Sequence, residues 1–232
     1  MRSERKPTVS VVIPAFNASP YLREALESVM AQTYQDFEII LIDDGSTDDT
    51  AEIAADYRPL LRYFHQENAG PAKARNRGIA EAKGKFVAFL DADDVWLPEK
   101  LEKQVRRFRA EPDLGLVTTG HQAFEVGRIH PPEKDKRKLL FEGGNVAKAI
   151  FVHSNVATPS VMVPRAVLDE IGGFEEEIHI GEDDNLWIRI AASYPVALVD
   201  EVLVRCRLRH DSLTRDGERF FEDVRKNILW LS

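Results

Sequence analysis

The chain has 232 residues, 44% of them hydrophobic, and a formal net charge of −8. This length can bury the core of one large domain or two small ones. The acidic balance, with an isoelectric point of about 5.4, argues against non-specific nucleic-acid binding, because that affinity comes mostly from Lys and Arg on phosphates. With Cys206 as the only cysteine, no intrachain disulfide can form. No apolar run approaches the ~18 residues of a membrane span, so we expect a cytoplasmic protein, with peripheral contact at a membrane surface as the alternative.

The first half of the chain alternates strand-like and helix-like segments. Continuous apolar runs at Val9–Ile13 and Phe37–Ile42 predict strands that are buried on both faces. The first run is followed by Ser19 and Pro20, a cap and first-turn pair that favours a helix. The alternation continues with strands predicted at Leu61–Phe64, Phe86–Leu90 and Leu114–Thr118 and helices at Pro71–Ala82 and Pro98–Ala110. This order predicts an α/β fold with a doubly wound, mostly parallel sheet.

Polar clusters end three of the predicted strands, at Pro14–Asn17, Asp43–Asp44 and Asp91–Asp94. In doubly wound sheets ligands bind outside the carboxyl ends of the strands, so the three clusters predict a single site. Three carboxylates within the last cluster repel each other, and a bound hard divalent cation relieves that repulsion. An ordinary strand-terminating turn is the alternative that these residues alone leave open.

The last third of the chain is less regular. Gly120–Leu140 contains the mixed-charge stretch PPEKDKRK, which predicts either a solvated surface loop or a mobile flap over a substrate. Beyond it the pattern predicts strands at Ser160–Val163, Val196–Val199 and Val202–Leu208 and helices at Arg165–Ile171 and Asp184–Ala192. Apolar residues at helical spacing in 216–232 predict a C-terminal helix that closes the core or forms a dimer or membrane contact.

Five motifs occur in order along the chain: VSVVIPAFN, LIDDGSTD, ENAGPAKARNRGI, FLDADD and GEDDNLWIR. Together they resemble the family 2 glycosyltransferases, which have the GT-A fold, over about Thr8–Thr214. The resemblance implies a single GT-A-like, Rossmann-like domain with a less regular acceptor-side C-terminal third. Its parts would be a disordered lead (1–7), a nucleotide-sugar-binding half (8–119), an acceptor-binding and catalytic-base half (120–215) and a C-terminal helix (216–232).

The activity that this resemblance implies is metal-dependent, inverting transfer of a sugar from a nucleoside-diphosphate sugar, expected to be UDP-linked, to an acceptor hydroxyl. The acceptor would be a saccharide, a lipid-linked saccharide or a protein, in the synthesis of cell-surface polysaccharides or glycoconjugates. The Gln-x-x-Arg-Trp motif and the membrane helices of processive polysaccharide synthases do not occur in the sequence, which favours transfer of single sugars. No nucleic-acid partner is expected, and the C-terminal helix offers a route to an oligomer.

In enzymes of this kind the first strand end binds the nucleotide base. The resemblance implies that Pro14 and Ala15 offer backbone groups to the base and that Asn17 shapes the turn. Asp44 would accept a hydrogen bond from the imide nitrogen of the base, while Asp43 would bind the nucleotide or brace the loop. For Asn17, a helix cap is the structural alternative.

The diphosphate and the metal would lie beside this base site. Lys73 and Arg75, near a predicted helix start, would approach the diphosphate, with solvated helix charges as the alternative. The Asp-x-Asp motif around Ala92 completes the nucleotide site. Asp93 would be the direct ligand of Mn²⁺ or Mg²⁺, and Asp91 would bind ribose or a metal-bound water. Such a cation stabilises the departing diphosphate as a Lewis acid.

The Glu182–Asp183 pair resembles the acids at the catalytic position of this family. Asp183 would be the general base that takes a proton from the acceptor hydroxyl, and a single displacement at the anomeric carbon inverts the sugar configuration. Glu182 would contact the donor or acceptor sugar, Trp187 would pack in the core, and Arg189 would brace the acids. By spacing alone, the preference of a helix N-terminus for negative charge explains the pair as well.

One segment departs from the family pattern. Where related enzymes often have a basic residue or a histidine after the last strand, this chain has Arg209 and His210 side by side. His210 would be a further metal ligand, or both residues would bind phosphate, or both would lie on the surface.

Two competing functions belong to other classes. FLDADDV also fits the Asp-x-Asp-x-Val of aspartyl-phosphate phosphohydrolases, in which Asp91 would be the nucleophile. That interpretation leaves the first two strand-end motifs unexplained. The other alternative is a catalytically silent module that binds a nucleotide sugar without turning it over.

Overall fold

The structure of the chain, a computed structural model, describes residues 6–125, 127–131, 146–147, 150, 156–178 and 180–209. Within these residues nine strands form one sheet: β1 (Val9–Ala15), β2 (Phe37–Asp43), β3 (Leu61–His65), β4 (Phe86–Phe89), β5 (Val95–Trp96), β6 (Leu116–Glu125), β7 (Arg128–Ile129), β8 (Met162–Pro164) and β9 (Val196–Arg207). The α-helices of the described part are α1 (Leu22–Met30), α2 (Thr50–Asp56), α3 (Pro71–Glu81), α4 (Lys100–Ala110), α5 (Arg165–Ile171) and α6 (Glu182–Ser193). One 3₁₀ turn lies at Thr158–Ser160.

Four parallel strands form the half of the sheet that carries the predicted nucleotide site, in the order β3, β2, β1, β4. β1 is flanked on both sides, since Val9 lies opposite Phe37 of β2 and Phe86 of β4. Its Val and Ile residues are buried because apolar groups cover both faces of the sheet, as the sequence predicts. The shared strand direction brings the carboxyl ends to one edge, where Ala15 pairs with Asp43.

Beyond β4 the sheet becomes mixed. β8 is antiparallel to β4 and β6, β6 runs parallel to β9, and the short strands β5 and β7 pair antiparallel with β9 and β6. Most paired residues still belong to parallel ladders, because β1–β2 and β6–β9 are the longest ones. One sheet therefore joins the two parts of the chain, and the α/β class expected from the sequence is confirmed.

The first part of Gly120–Leu140 is a strand, so the prediction of a loop from Gly120 onward is wrong. β6 continues to Glu125 because His121–Phe124 pair with Val204–Arg207 of β9. The sequence hid this part of the strand because His121–Ala123 are only partly buried and form neither an apolar run nor an alternation. Residue 126 and residues 132–140 lie outside the described part, so for these residues of Gly120–Leu140 the loop and the flap stay predictions.

β9 is one strand where the sequence predicted two. Thr119 of β6 pairs with Val199, but the next residue, Gly120, pairs with Val202, so Asp200–Glu201 form a bulge. A Cβ atom at Gly120 would lie 2.6 Å from the Glu201 carbonyl oxygen, which explains the glycine at this position. The bulge lets two acids interrupt the apolar pattern without ending the strand.

Two apolar layers cover the faces of the sheet. On one face α1 and α4 bury Leu22, Leu26, Leu101, Val105 and Phe108. On the other face α3, α5 and α6 pack, and fully buried Trp187 of α6 lies with its ring centroid 5.9 Å from that of Phe89 and 5.7 Å from that of Phe174. The predicted core role of Trp187 is confirmed. α3 and α6 share this face, and Arg75 of α3 contacts both Glu182 at the start of α6 and Asp91 just beyond β4.

The predicted C-terminal helix at 216–232 and residue His210 lie outside the described residues. Within the described part, no helix combines the length and the apolar character needed to cross a bilayer. The division of the domain into a nucleotide-sugar half and an acceptor half stays a prediction.

Candidate active site

The first acidic strand end begins with Asp43, the last residue of β2, which is buried and hydrogen-bonded to neutral donors. Its Oδ1 accepts from the Ser46 backbone N–H at 2.9 Å, and its Oδ2 accepts from the Tyr63 hydroxyl at 2.5 Å. Burial, followed by the contact with Asp43, raises the pKa of Tyr63, so the phenol stays a donor. These contacts make Asp43 a brace for the turn, one of its two expected roles.

Asp44 fixes the loop that leads into α3. Its Oδ1 accepts hydrogen bonds from the Gln66 side chain at 2.7 Å and from the Ala69 backbone N–H at 3.0 Å. Its Oδ2 accepts from the Gly70 backbone N–H at 2.8 Å. A carboxylate oxygen can accept two hydrogen bonds, so Oδ2 keeps capacity for the imide N–H of a base.

The backbone at the end of β1 is tied to the end of β2. Pro14 and Ala15 remain in register with Ile42 and Asp43, and the Ala15 carbonyl oxygen accepts from the Asp44 N–H at 2.8 Å. The strand exit that the sequence assigned to base binding is therefore a rigid part of the sheet edge.

Asn17 shapes the next turn, as expected. Its φ of 48° lies in the left-handed region that Asn tolerates better than most residues. Its Oδ1 accepts from the Thr47 N–H at 2.8 Å, and its own N–H donates to Ser46 Oγ at 3.0 Å. The side chain therefore joins the first strand-end loop to the second.

The second acidic strand end, Asp91–Asp94, forms a tight turn in which the Asp94 N–H donates to the Asp91 carbonyl oxygen at 3.0 Å. Ala92 within it is buried in the core. Burial, and then the neighbouring Asp91 carboxylate, raise the pKa of Asp93. Burial, Asp91 and Asp93 raise the pKa of Asp94 well above its usual range. The repulsion inferred from the sequence is therefore present in the folded protein.

Two arginines reach this turn, Arg207 at the end of β9 and Arg209 two residues beyond it. The Arg207 N–H donates to Asp94 Oδ1 at 2.8 Å, and its Nε donates to the Asp93 carbonyl oxygen at 2.9 Å. Arg209 Nη1 lies 3.2 Å from Asp93 Oδ2. Arg209 thus meets the expected metal ligand rather than the bare protein surface. Arg207 belongs to no motif, and strand alternation alone gave no reason to select it.

Arg75 of α3 connects the two groups of acids. Its Nη2 lies 2.8 Å from Asp91 Oδ1 and its Nη1 lies 2.7 Å from Glu182 Oε1, although these acids are far apart in sequence. Burial opposes its charge, but Asp91 and Glu182 raise the pKa of Arg75 above its usual range. The sequence suggested a diphosphate contact for Arg75, whereas the structure buries its guanidinium between two carboxylates. Lys73 of the same helix is exposed.

The pair Glu182–Asp183 begins α6. Burial, followed by the Asp183 carboxylate, raises the pKa of Glu182 to about 7, while Arg75 opposes the shift. Asp183 is partly buried, and its Oδ2 accepts from Thr158 Oγ1 at 2.6 Å. Its Oδ1 accepts from the Asp184 N–H at 2.9 Å. Thr158 had no signal in the sequence, because it lies in an irregular stretch outside the five motifs.

Arg189 does not brace the two acids, contrary to the prediction. Its Nε donates to Asn185 Oδ1 at 2.9 Å and its Nη1 donates to the Ile171 carbonyl oxygen at 3.0 Å. Its Nη2 donates to the Gly173 carbonyl oxygen. Arg189 lies about two turns (~10 Å) further along α6 than Glu182, where its guanidinium reaches the end of α5. Arg75 from α3 takes the bracing position instead.

The acidic turn fits a hard divalent cation. Among the described residues, Asp91 Oδ2 receives no hydrogen bond, and the crowding that raises the pKa of Asp93 is relieved by added positive charge. No group of three His, Cys, Asp or Glu side chains in the described part forms a complete cation cage. A cation here would take its remaining ligands from a substrate phosphate or water, as Mg²⁺ does at nucleotide sites.

Comparison with known proteins agrees with this arrangement of motifs. The family model described as glycosyl transferase family 2 matches residues 10–172. This chain belongs to glycosyltransferase family 2. A glycosyltransferase of Rickettsia felis is 38% identical over 208 residues, which cover 86% of this chain and 33% of that protein. The chain therefore spans about one third of the length of this relative. With family membership established, the phosphohydrolase interpretation of FLDADDV is set aside.

A second relative and two solved structures extend the comparison. A Bacillus subtilis glycosyltransferase, TuaG, named for teichuronic acid biosynthesis, is 41% identical over 138 residues, 55% of this chain and 54% of its own. S. aureus TarS, solved with UDP, superposes with a TM-score of 0.75 at 24% identity over 96% of this chain and 64% of its own. A Pyrobaculum calidifontis mannosyltransferase, solved with GDP-Man and Mn²⁺, gives a TM-score of 0.76 at 21% identity over 98% of this chain and 65% of its own. The shared architecture confirms the GT-A-like fold of this family 2 chain.

Proposed function

We propose that this chain is the catalytic domain of a metal-dependent, inverting glycosyltransferase that moves one sugar from a nucleoside-diphosphate sugar to an acceptor hydroxyl. The observation that carries the proposal is the Arg75 bridge. One buried guanidinium lies 2.8 Å from Asp91 and 2.7 Å from Glu182, and it joins the diphosphate-side turn to the acids beside the expected base. The residues expected to bind the sugar donor and those expected to bind the acceptor are thus held by one buried guanidinium.

The proposed donor is UDP-linked. S. aureus TarS was solved with UDP and with UDP-GlcNAc, and the Pyrobaculum mannosyltransferase with GDP-Man and Mn²⁺, which supports a nucleoside-diphosphate sugar and a divalent cation. In this chain Asp44 Oδ2, with one described hydrogen bond, suits the imide N–H of uracil. Exposed Lys73, rather than buried Arg75, is the α3 cation that we assign to the diphosphate.

The proposed metal ligands are Asp93 and, directly or through water, Asp91. A bound Mn²⁺ or Mg²⁺ would supply Lewis-acid stabilisation of the leaving diphosphate. Asp183 takes the proton as the acceptor O–H bond breaks, and the oxygen forms a bond to the anomeric carbon. The bond from that carbon to the diphosphate oxygen breaks, and its electron pair leaves with the diphosphate. A single displacement at the anomeric carbon, assisted by one general base, inverts the configuration of the sugar.

The proposed acceptor is the hydroxyl of a saccharide in cell-surface polysaccharide synthesis, free, lipid-linked or on a protein. The name of the Bacillus subtilis relative, which refers to teichuronic acid, supports this class. We assign donor binding to residues 8–119 and acceptor binding to residues 120–215. Within the second range, the acids at the start of α6 supply the base.

The test measures nucleoside-diphosphate release from UDP-GlcNAc and GDP-mannose with Mn²⁺ and a panel of saccharide acceptors. Asp183→Asn keeps the shape of the side chain and removes its basicity, so we expect the rate to fall by about 10²–10⁴-fold while donor binding persists. Asp184→Asn, one residue further along the same helical turn, is the matched control and is expected to stay near the parental rate. A folded Asp183→Asn protein with near-parental release would refute the assignment. A parent that binds both donors but releases no nucleoside diphosphate with any acceptor of the panel would be a silent binding module.

A further inference from the structure

The carboxylate of Asp183 is held at both oxygens. Thr158 Oγ1 donates to Oδ2 at 2.6 Å, and the Asp184 N–H donates to Oδ1 at 2.9 Å. Thr158 is 3% exposed, so no bulk water competes for its hydroxyl. The Asp184 contact comes from the same helical turn and moves with it. Thr158 is therefore the contact that ties the Asp183 carboxylate to a different part of the fold.

Thr158 lies on a closed turn. The Ser160 N–H donates to the Ala157 carbonyl oxygen at 2.9 Å, and the Val161 N–H donates to the Thr158 carbonyl oxygen at 3.1 Å. The Ser160 hydroxyl also donates to the Ala157 carbonyl oxygen at 2.6 Å. These bonds fix the backbone from which the Thr158 hydroxyl projects.

Three buried side chains from separate elements form hydrogen bonds with this turn. Trp96 Nε1 of β5 donates to the Pro159 carbonyl oxygen at 2.8 Å. Gln104 Nε2 of α4 donates to the Ser160 carbonyl oxygen at 2.9 Å, and Thr118 Oγ1 of β6 lies 2.7 Å from Ser160 Oγ. Each anchor is at most 3% exposed. Burying this many polar groups is favourable only when all are paired, so the network defines one position for the turn.

A buried lysine supports two of these anchors. Lys100 Nζ donates to Gln104 Oε1 at 2.8 Å and lies 3.9 Å from the centroid of the Trp96 ring. Lys100 is fully buried, and within the described part no carboxylate pairs with it. Burial lowers its pKa well below the usual value. A lysine in this setting costs folding free energy. Within the described part, its side-chain hydrogen bond and its ring contact are both with residues that hold the 158–160 turn.

We propose that Thr158 is a positioning residue for the general base, and that Trp96, Lys100 and Gln104 form a buried support for its turn. This inference rests on the proposed function of Asp183. The Thr158 hydroxyl donates a hydrogen bond to Asp183 Oδ2 and so fixes the rotation of the Asp183 carboxylate. The remaining lone pairs of Asp183 then face the acceptor hydroxyl in one orientation. Pre-set geometry of this kind matters because small misplacements of a catalytic group lower the rate steeply.

The test removes the hydroxyl and then restores it. Thr158→Val keeps the side-chain shape without a donor, and we expect kcat for nucleoside-diphosphate release from UDP-GlcNAc or GDP-mannose with Mn²⁺ to fall by about 10- to 100-fold. The KM for the sugar donor should stay unchanged, because Thr158 contacts the proposed general base, Asp183, and not the nucleotide site. Thr158→Ser retains the donor and should restore most of the rate. Thr119→Val is the matched control, since Thr119 is 1% exposed on β6 and its hydroxyl meets the Gly120 carbonyl oxygen.

A double-mutant cycle separates positioning from a general effect on structure. In an Asp183→Ala background the Thr158→Val change should cause no further loss, because the group that it orients is gone. Equal rates for Thr158→Ser and Thr158→Val, or additive losses in the cycle, would overturn the proposal. If Thr158→Val fails to fold, Thr158→Ala takes its place under the same criteria. If Asp183→Ala alone leaves the release rate unchanged, the proposed base itself is wrong, which is a different outcome from failure at Thr158.

Discussion

Two acidic strand ends lie at one edge of the sheet, on either side of β1, and their carboxylates have different kinds of partner. Asp43 and Asp44 are met by backbone N–H groups, a phenol and an amide, all neutral donors. Asp91 and Asp93 are met by the guanidinium groups of Arg75 and Arg209. Neutral donors fixed in loops make a permanent brace, while a crowded acidic turn held by arginines retains a need for positive charge. The number of acids does not reveal this difference, but their partners do.

The largest expected effect tests whether Arg75 is needed as the charge between the two acid groups. Arg75→Met leaves Glu182 and Asp91 without their shared cation, and breaking a buried ion pair on one side costs about 3–5 kcal/mol. Urea unfolding measures the loss. Arg77→Met on the same helix is the control, because Arg77 donates to the neutral groups of His65 and Gln66 and should cost about 1 kcal/mol. Equal costs for the two variants would remove the distinction between charged and neutral bracing.

The next effect compares the two strand ends directly. Asp93→Ala should weaken UDP binding in the presence of Mn²⁺ by about 100-fold, since loss of even an outer partner of a metal ligand costs 10- to 100-fold. Asp43→Asn should instead lower the free energy of unfolding by about 1–3 kcal/mol, because it disturbs the buried hydrogen bonds that Asp43 accepts from Ser46 and Tyr63. The Mn²⁺ dependence of UDP binding should survive in Asp43→Asn. Titration calorimetry with and without Mn²⁺ measures UDP binding by each variant, and urea unfolding measures the change in stability. If both variants lose the Mn²⁺ dependence equally, the two strand ends do not differ as described.

The third effect concerns pH and the far end of the Arg75 bridge. The folded-state pKa of Glu182 is raised from 4.5 to about 7, so the folded protein binds this proton more tightly than the unfolded chain. Stability from this group is therefore present at low pH and is lost as pH rises between 4.5 and about 7. The slope has an upper limit of about 1.4 kcal/mol per pH unit.

Glu182→Gln isolates that slope, because it removes the titrating group and keeps an acceptor for Arg75. The stability of the variant relative to the parent should rise across the same pH interval and level off above it. Thermal unfolding at several pH values measures the difference. A constant difference between pH 4.5 and 7 would mean that Glu182 does not titrate in this range.

Much of the fold and half of the site follow from local sequence signals. The strand ends carrying Asn17, Asp44 and Asp93 were predictable because buried parallel strands give uninterrupted apolar runs, and loop residues at their ends must then share an edge. The pair at the start of α6 was predictable from its motif. These features depend on neighbours in sequence, so a pattern of a few residues encodes them.

The remaining features depend on partners distant in sequence. Arg75 meets Glu182 across 107 positions, and Thr158 and Arg207 reach the acids from segments without any motif. The sequence pointed Arg189 toward the acids because it lies on their helix, but about two helical turns (~10 Å) separate it from them, and it contacts the end of α5 instead. Side-chain pairings of this kind are set by packing between elements, which periodicity does not encode.

The smallest expected effect concerns Arg209 at the second strand end, where we expect bound Mn²⁺ to displace its guanidinium from Asp93. Its ion pair with Asp93 has side chains that are 25% and 24% exposed, and such partly exposed pairs contribute about 0.5–1 kcal/mol. Arg209→Ala should therefore tighten Mn²⁺ binding in the absence of nucleotide by about two- to fivefold, because the metal no longer displaces a guanidinium. Electron paramagnetic resonance of free Mn²⁺ measures this affinity, and Arg209→Lys, which keeps the charge, should remain near the parent. Weaker Mn²⁺ binding by Arg209→Ala would show that Arg209 helps to build the acidic turn, which would then be braced in the same way as Asp43 and Asp44.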